Sequence, residues 1–408
     1  MSKLEELIKE LCPNGVEYKT IKEFAAVSIG EFVHKSKQNP KAKYPVYNGG
    51  TSNTGYYDEF NNTANKIVIS ARGANAGHVN KVLVNYWAGN SCYTVDVKDE
   101  KVSWLYVYYA VKNREAHFLD KQQKGGIPAV SKKQVEEFII PVPPMEVQRE
   151  IVRILDNFTE LTAELTAELT ARKKQYEYYR DELLTFDETM EWKNLLTVSD
   201  TFTGLTYRPT DKTNDGTGTL VLRSSNIQNG KLVFDDSVRV SMKKIPERAM
   251  IKARDVLICV RNGSKALVGK SVRIPELSEP MAFGAFMSIL RPKIDMINAD
   301  YLFYAWQFVY EQIRRNNDDS MVINQITQKD FASIKIPVPS LEEQERIVSI
   351  LDRFDKLCND ISVGLPAEIE ARKKQYEYYR DKLLTFEPIQ STEKELTLLI
   401  NLYAKTGL

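Results

Sequence analysis

A near-identical internal repeat limits this chain more than any other feature. IIPVPPMEVQREIVRILDNF (139–158) recurs 196 residues later as KIPVPSLEEQERIVSILDRF (335–354). ARKKQYEYYRDELLTF (171–186) recurs as ARKKQYEYYRDKLLTF (371–386), with fifteen of sixteen residues identical. Such a repeat means two copies of one structural unit. Between the copies the likeness is faint. EYKTIKEFA (17–25) and EWKNLLTVS (191–199) open the two halves, and KIVISARGANAGHV (66–79) parallels DVLICVRNGSKALVG (255–269). GGIPAVSKKQVEEF (125–138) parallels MVINQITQKDFASI (321–334). The chain therefore reads as variable domain, shared segment, variable domain, shared segment.

The shared segments have a helical period. Val147, Ile151, Ile154, Phe158, Leu161, Leu165, Leu169, Arg172, Tyr176, Tyr179 and Leu183 recur at mostly alternating steps of three and four, a coiled-coil seam. Ile347, Ile350, Phe354, Leu357, Ile361, Leu365, Ile369, Tyr376, Tyr379 and Leu383 offer a second seam. Pro141, Pro143, Pro144, Pro337 and Pro339 precede the helices and are expected to stop strand and helix alike. A helix of forty residues spans about 60 Å, and an antiparallel pair is the easiest closure with a globular domain between the two. TAELTAEL (162–169) fills the first helix either as helix-forming filler or as a length-setting element. SVGLPAEI (362–369) places Gly364 and Pro366 where the second should kink or break.

The variable halves alternate short strands with Gly/Asn-rich turns: KYPVYN, KIVISA, KVLVNYW and SCYTVDV, then TLVLRS, KLVFDD, DVLICV and AFMSILR. Each ends with an apolar-aromatic helix, 102–112 and 299–313, read as core. The expected fold class is α+β: two pseudo-repeated domains of mixed α/β content, separated by two long helices forming an antiparallel coiled coil. The boundaries are 1–145 and 187–340 for the domains, 146–186 and 341–388 for the helices, and 389–408 for a C-terminal helical tail.

Charge becomes informative once divided. The net charge is +1, yet 18–140 carries 17 basic and 11 acidic residues and 192–335 carries 21 and 15, so each is +6. The remainder is −11. Two basic blocks set among acidic helices fit nucleic acid, though two ordinary mildly basic domains would look the same. Cys12, Cys92, Cys259 and Cys358 form no CxxC pair, and there are three histidines, so neither zinc nor disulfide framework is expected. The charged amphipathic start argues against secretion, and no apolar run approaches a membrane span. A cytoplasmic chain is expected.

Base edges take bidentate contacts from Arg, Lys, Asn and Gln, and phosphates take Lys, Arg, Ser, Thr and backbone N–H groups. In the first half, loops offering this mixture hold Lys35, Lys37, Lys43, Asn48, Thr51, Ser52, Asn53, Arg72, Asn75 and His78. In the second they hold Arg208, Arg223, Ser224, Asn226, Arg261, Asn262, Lys265, Asn324 and Gln325. Any one loop could be a plain solvated turn. The recurrent strand–Arg–Gly pattern puts Arg72 and Arg261 above the others. No catalytic constellation is found: GSKALVGKS (263–271) has five residues between its glycines where a phosphate loop has four, and the tetrad with which an amino-methyltransferase holds a flipped base is missing. No cofactor is expected.

The layout resembles the specificity subunits of Type I restriction–modification enzymes. The likeness rests on IPVPPMEVQREIVRILD and IPVPSLEEQERIVSILD, the two ARKKQYEYYRD segments and the TAEL tandem, and it covers nearly the whole chain. The resemblance implies a non-catalytic subunit that binds double-stranded DNA, each domain reading one half of a split site and the helices fixing the gap. It implies two methyltransferase (modification) subunits, which carry S-adenosylmethionine, and two restriction (motor-nuclease) subunits as partners, and no membrane. Tyr178 and Arg180 with their twins Tyr378 and Arg380 are the expected partner contacts, while Tyr176 and Tyr179 face the seam. Lys173, Lys174, Lys373 and Lys374 could touch DNA instead. The rival readings are a coiled-coil adaptor with peptide- or sugar-binding domains, separated by salt-dependent DNA binding, and a nuclease or methyltransferase acting alone.

Overall fold

A computed structural model describes residues 3–120, 127–187, 190–228, 230–242, 244–316, 325–359 and 364–389. Most of the expected tail (389–408), and Asn324, lie outside them. Two compact units divide the described residues: one runs to Ala163 and resumes at Ala371, and the other is Glu164–Glu370.

In the first unit a four-stranded antiparallel sheet orders Ala25–Ile29, Cys92–Val97, Lys66–Ser70 and Val79–Val82. Ile67 and Ile69 face one core and Val68 faces another. Because alternate side chains point to opposite faces, a strand covered on both sides reads as an unbroken apolar run. A smaller sheet orders Gly55–Tyr57, Tyr44–Tyr47 and Trp87–Ala88, the last pair parallel. Ser103 opens the helix Trp104–Asn113 by accepting the Tyr106 N–H.

The second unit repeats the plan. Ser199–Thr203, Met287–Pro292, Val256–Cys259 and Ser271–Arg273 form its antiparallel sheet. Val256 and Ile258 face the helices, whereas Leu257 and Cys259 face a second core closed by Leu222 and Phe283. Another sheet orders Lys212–Thr213, Val238–Val240, Thr219–Leu222 and Met281–Phe283, the last pair parallel. The aromatic helix here is Ala299–Asn316.

One helix, Met145–Leu184, runs unbroken for 40 residues. Its beginning belongs to the first unit, where Val147, Ile151 and Leu155 enter the core; its end belongs to the second, where Leu184 does. The distal segment, placed at 341–388, holds two helices, Leu341–Asn359 and Leu365–Leu383, in line with the kink or break expected at Gly364 and Pro366. Gly364 precedes the second piece, and Pro366 sits in its first turn, where the missing N–H costs nothing. In the second unit Phe354 stacks on Tyr179 (5.5 Å) and approaches Tyr176 (6.4 Å), while Cys358 lies near Lys173, so the two segments run in opposite directions. The first unit has the matching contact, Phe158 with Tyr379 (5.7 Å) and Tyr376 (6.4 Å).

The proline reading needs correction. Pro141 and Pro337 do not stop strands: Ile139–Val142 pairs with Glu17–Thr20, and Lys335–Pro337 with Trp192–Asn194. Both ladders are two-stranded, so each strand keeps a free edge where proline's lack of a donor is harmless.

Each domain is mounted on its helix by the same buried parts. Gln148, fully buried, accepts the Ser103 N–H and donates to the carbonyls of Lys101 and Pro143. Gln344 accepts the Asn298 N–H and donates to the Pro339 carbonyl. Tyr106 and Tyr301 donate to the carbonyls of Pro141 and Pro337, both at 3.0 Å. Burial raises both phenols far above their usual range, so they stay neutral donors. Tyr109 donates to Asp156, and Tyr304 to Asp352; a cation completes each group, Lys81 in one and Arg273 in the other.

Candidate nucleic-acid interface

The strands Lys66–Ser70 and Val256–Cys259 lead to Arg72 and Arg261, and the two surroundings share several backbone bonds. Ala71 donates its N–H to Ser91, and Val260 donates its N–H to Phe286. The backbone of Arg72 bridges to Ala129, and that of Arg261 to Gln325. Both arginine side chains are exposed. Among the described residues Arg72 has no side-chain partner, and the Arg261 guanidinium only lies over the Phe286 ring, 5.4 Å from its centre. Two free guanidiniums in equivalent places are free to make outside contacts.

Around Arg261 several expected residues converge. The Asn262 amide donates to the Ser224 hydroxyl (3.0 Å) and accepts the Ser264 N–H, next to the exposed Lys265. Gln325 is exposed beside the Arg261 backbone. Arg223 pairs with Asp236 at 2.7 Å, so its charge is already met. Asn226 is fully buried, accepts the Arg223 N–H and donates to Val233: it shapes the loop. Arg208 is exposed and caps a short 3-10 turn, Pro209–Asp211, where its N–H donates to Asp211.

In the first unit the loop of Asn48 lies against that of Arg72: a Cβ on Gly49 would sit 2.4 Å from the Arg72 carbonyl. Asn48 itself accepts the Ser91 N–H at 3.0 Å and is occupied tying its loop to the turn ahead of Cys92–Val97. Thr51 and Ser52 are exposed, and Asn53 donates to Gly55. Lys35 and Lys37 form an exposed 3-10 turn, which leads to Gln38 packed at Gly55. Lys43 is exposed, with its ammonium 5.2 Å from the Tyr44 ring. His78 is drawn away by Glu115 on the helix Glu115–Asp120 (2.8 Å), and the Asn75 carbonyl accepts the His78 N–H. These two belong to the turn's scaffold.

The twin motifs on the helices differ in setting. Tyr178 and Tyr378 are equally exposed, at 65% and 64%. The Arg180 side chain is only 7% exposed, paired with Asp181 (2.7 Å) and Glu311, and Arg315 joins Asp181 at 2.9 Å. Among the described residues Arg380 has Asp381 as its one acidic partner, at 2.8 Å, and is more open. Among the described residues no cluster of three or more His, Cys, Asp or Glu could hold a metal. Nor is any described helix long and apolar enough to cross a membrane. All four cysteines are buried, and burial pushes the Cys92 thiol up to about 12, far from a reactive thiolate.

Sequence reasoning missed the mounts (Gln148, Tyr106, Tyr109, Asp156, Lys81 and their counterparts) and Phe286. The mounts left one visible signal, the same Gln at the same place in both IPVP-led segments.

Residues 13–172 and 188–371 match the family model described as Type I restriction modification DNA specificity domain. The chain is 33% identical over 305 residues to the EcoR124I/EcoR124II specificity subunit of Escherichia coli, covering 71% of this chain and 72% of that one. It is 29% identical over 397 residues to a putative type I restriction enzyme specificity subunit of Haemophilus influenzae, covering 94% and 98%. Among solved structures, the S subunit of a Type I restriction–modification system from M. genitalium superposes with a TM-score of 0.59 at 21% identity, covering 92% and 97%.

Proposed function

The chain belongs to the family of Type I restriction–modification DNA specificity subunits, and from that premise we propose that it reads a bipartite DNA target, one half-site per domain. Subunits of this family recognise DNA and are not themselves catalytic, and two recognition domains are present here. We take 1–145 and 187–340 as those domains. The observation that carries the reading is the equivalence of Arg72 and Arg261: the same strand end, the same backbone bridge and the same exposed guanidinium in two otherwise unlike loop sets. Arginine on the O6 and N7 of guanine is the commonest specific contact in the major groove. Lys35, Lys37, Lys43 and Lys265 are suited to phosphates, which supply affinity and its salt dependence without specificity.

The helix Met145–Leu184 with its distal partners is the proposed spacer between half-sites. TAELTAEL lies inside it with no break in helical hydrogen bonding, as a length-setting element must. Each added TAEL would lengthen it by about 6 Å. The equal exposure of Tyr178 and Tyr378 supports docking of two copies of one partner, the modification subunit, which holds the methyl donor; two restriction subunits complete the assembly. Arg380 is open to that partner, whereas Arg180 acts through its pair with Glu311.

The test is to co-express the chain with its modification subunit and map methylated adenine across a genome. A two-part motif is expected. Arg72→Ala should relax one half and Arg261→Ala the other, each by roughly 5- to 150-fold in discrimination. If both variants altered the same half, or neither altered any, the assignment would be wrong.

A further inference from the structure

The end of the second domain that carries Arg261 also carries a large apolar ring in solvent. Phe286 is 57% exposed. It occupies the turn between the strands Met281–Phe283 and Met287–Pro292, closed by the Met287 N–H on the Gly284 carbonyl at 2.9 Å. Its own carbonyl accepts the N–H groups of both Val260 and Arg261, at 3.0 and 3.1 Å. The backbone is therefore pinned, and the ring projects from a fixed base beside Arg261; the next residue, Asn262, bonds Ser224, and Gln325 bridges to the Arg261 backbone. The next residue, Met287, is buried in the core, so the ring's exposure is a local choice of the turn.

Resting on the reading that this end meets DNA, we propose that Phe286 is a specificity-determining residue whose ring packs on the 5-methyl group of a thymine in the second domain's half-site. Polar side chains around it suit base edges, and apolar contact is how a protein reads the thymine methyl beside them. The Arg261 guanidinium covers one face of the ring. A ring inserted between base pairs needs both faces free, so this one is suited to an edge or single-face contact. A single ring with a guanidinium on one face is also not in itself the contiguous apolar patch that a protein partner would bury. In the first domain the residue with the same backbone bond is Ser91, so the feature belongs to one reader alone.

The experiment uses the chain assembled with its modification subunits. Once the wild-type motif is mapped, duplexes are made with each second-half thymine replaced singly by deoxyuridine, which lacks only the methyl. One replacement should weaken wild-type binding roughly 3- to 10-fold. Phe286→Ala should bind the two duplexes equally, and Phe286→Leu should keep part of the difference. Because Phe286 is exposed, neither variant should unfold. Indifference of the wild type to every deoxyuridine, a second half-site without any A·T pair, or full sensitivity retained by Phe286→Ala would each overturn the proposal. Failure of the underlying reading looks different: Arg261→Ala then leaves the second half of the motif unchanged, which overturns both.

Discussion

The two units are alike where they grip the helices and unlike where they face outward. Gln148 and Gln344, Tyr106 and Tyr301, Tyr109–Asp156 and Tyr304–Asp352 repeat as hydrogen-bonded sets, with partners at corresponding places. Even there the details drift. Lys81 serves one acid, and Arg273 serves the other while also bonding Asp300 and lying over Phe303 and Tyr304. At the outward ends only the two free arginines and their backbone bridges persist. The difference teaches that the mounting geometry is held by buried polar groups, which are costly to leave unpaired, whereas the exposed loops carry no such constraint.

The sharpest way to break this comparison uses the twin helical motifs. Arg180→Ala removes one member of a buried ion-paired group and should cost about 3 kcal/mol, whereas Arg380→Ala, in the same local sequence, should cost less than about 0.5 kcal/mol. Urea denaturation followed by hydrogen exchange in each unit would show it. Equal losses would mean that sequence, not surroundings, sets the role of these arginines.

Next come the mounts. Gln148→Ala and Gln344→Ala each strand buried backbone groups, for roughly 2 kcal/mol apiece. Gln148 makes three such bonds against two for Gln344, so the first should be the costlier. The reverse order in denaturation midpoints would show that the two mounts are not equivalent.

The smallest effect is the pH dependence carried by one carboxylate of the first unit, Glu150. Arg153, and then Lys3, pull the buried Glu150 carboxyl down to about 2. The counterpart in the second helix is the exposed Arg346. A depressed carboxylate stabilises above its unfolded value and loses that contribution as pH falls from the ordinary glutamate range through about 2. Glu150→Gln should therefore be less stable than the parent at pH 7, with the gap closing as pH falls from about 4.5 to 2. A gap that persists at pH 2 would assign it to packing.

The repeat, the seams and the buried strands were legible in the sequence because each follows a period that backbone geometry imposes. Val147, Ile151 and Ile347, all expected seam positions, are buried, and they face the domain cores, while DVLICV is a strand covered on both faces. The mounts were not legible, since Gln148 and Tyr106 bond groups 35 to 47 residues away and no local pattern encodes that. The site was legible in part. Arg72 and Arg261 stood out because strand–Arg–Gly recurs. Asn48, Asn226 and His78 have the right chemistry in loops, yet their side chains are spent within the fold. Composition alone does not separate an outward amide from one that ties a loop. Phe286 was hidden inside AFMSILR, where an apolar letter just ahead of a strand looks like core.

The paired short strands that carry the prolines have a consequence for how such chains change. In each unit the polypeptide enters and leaves the domain through one two-stranded clasp, Glu17–Thr20 with Ile139–Val142 and Trp192–Asn194 with Lys335–Pro337. Whatever lies between the clasp strands starts and finishes at a single doorway. A whole domain is thus a replaceable cassette: a foreign insert with compatible ends meets the same neighbours at the same two strands, and a new recognition surface arrives without any redesign of the helices.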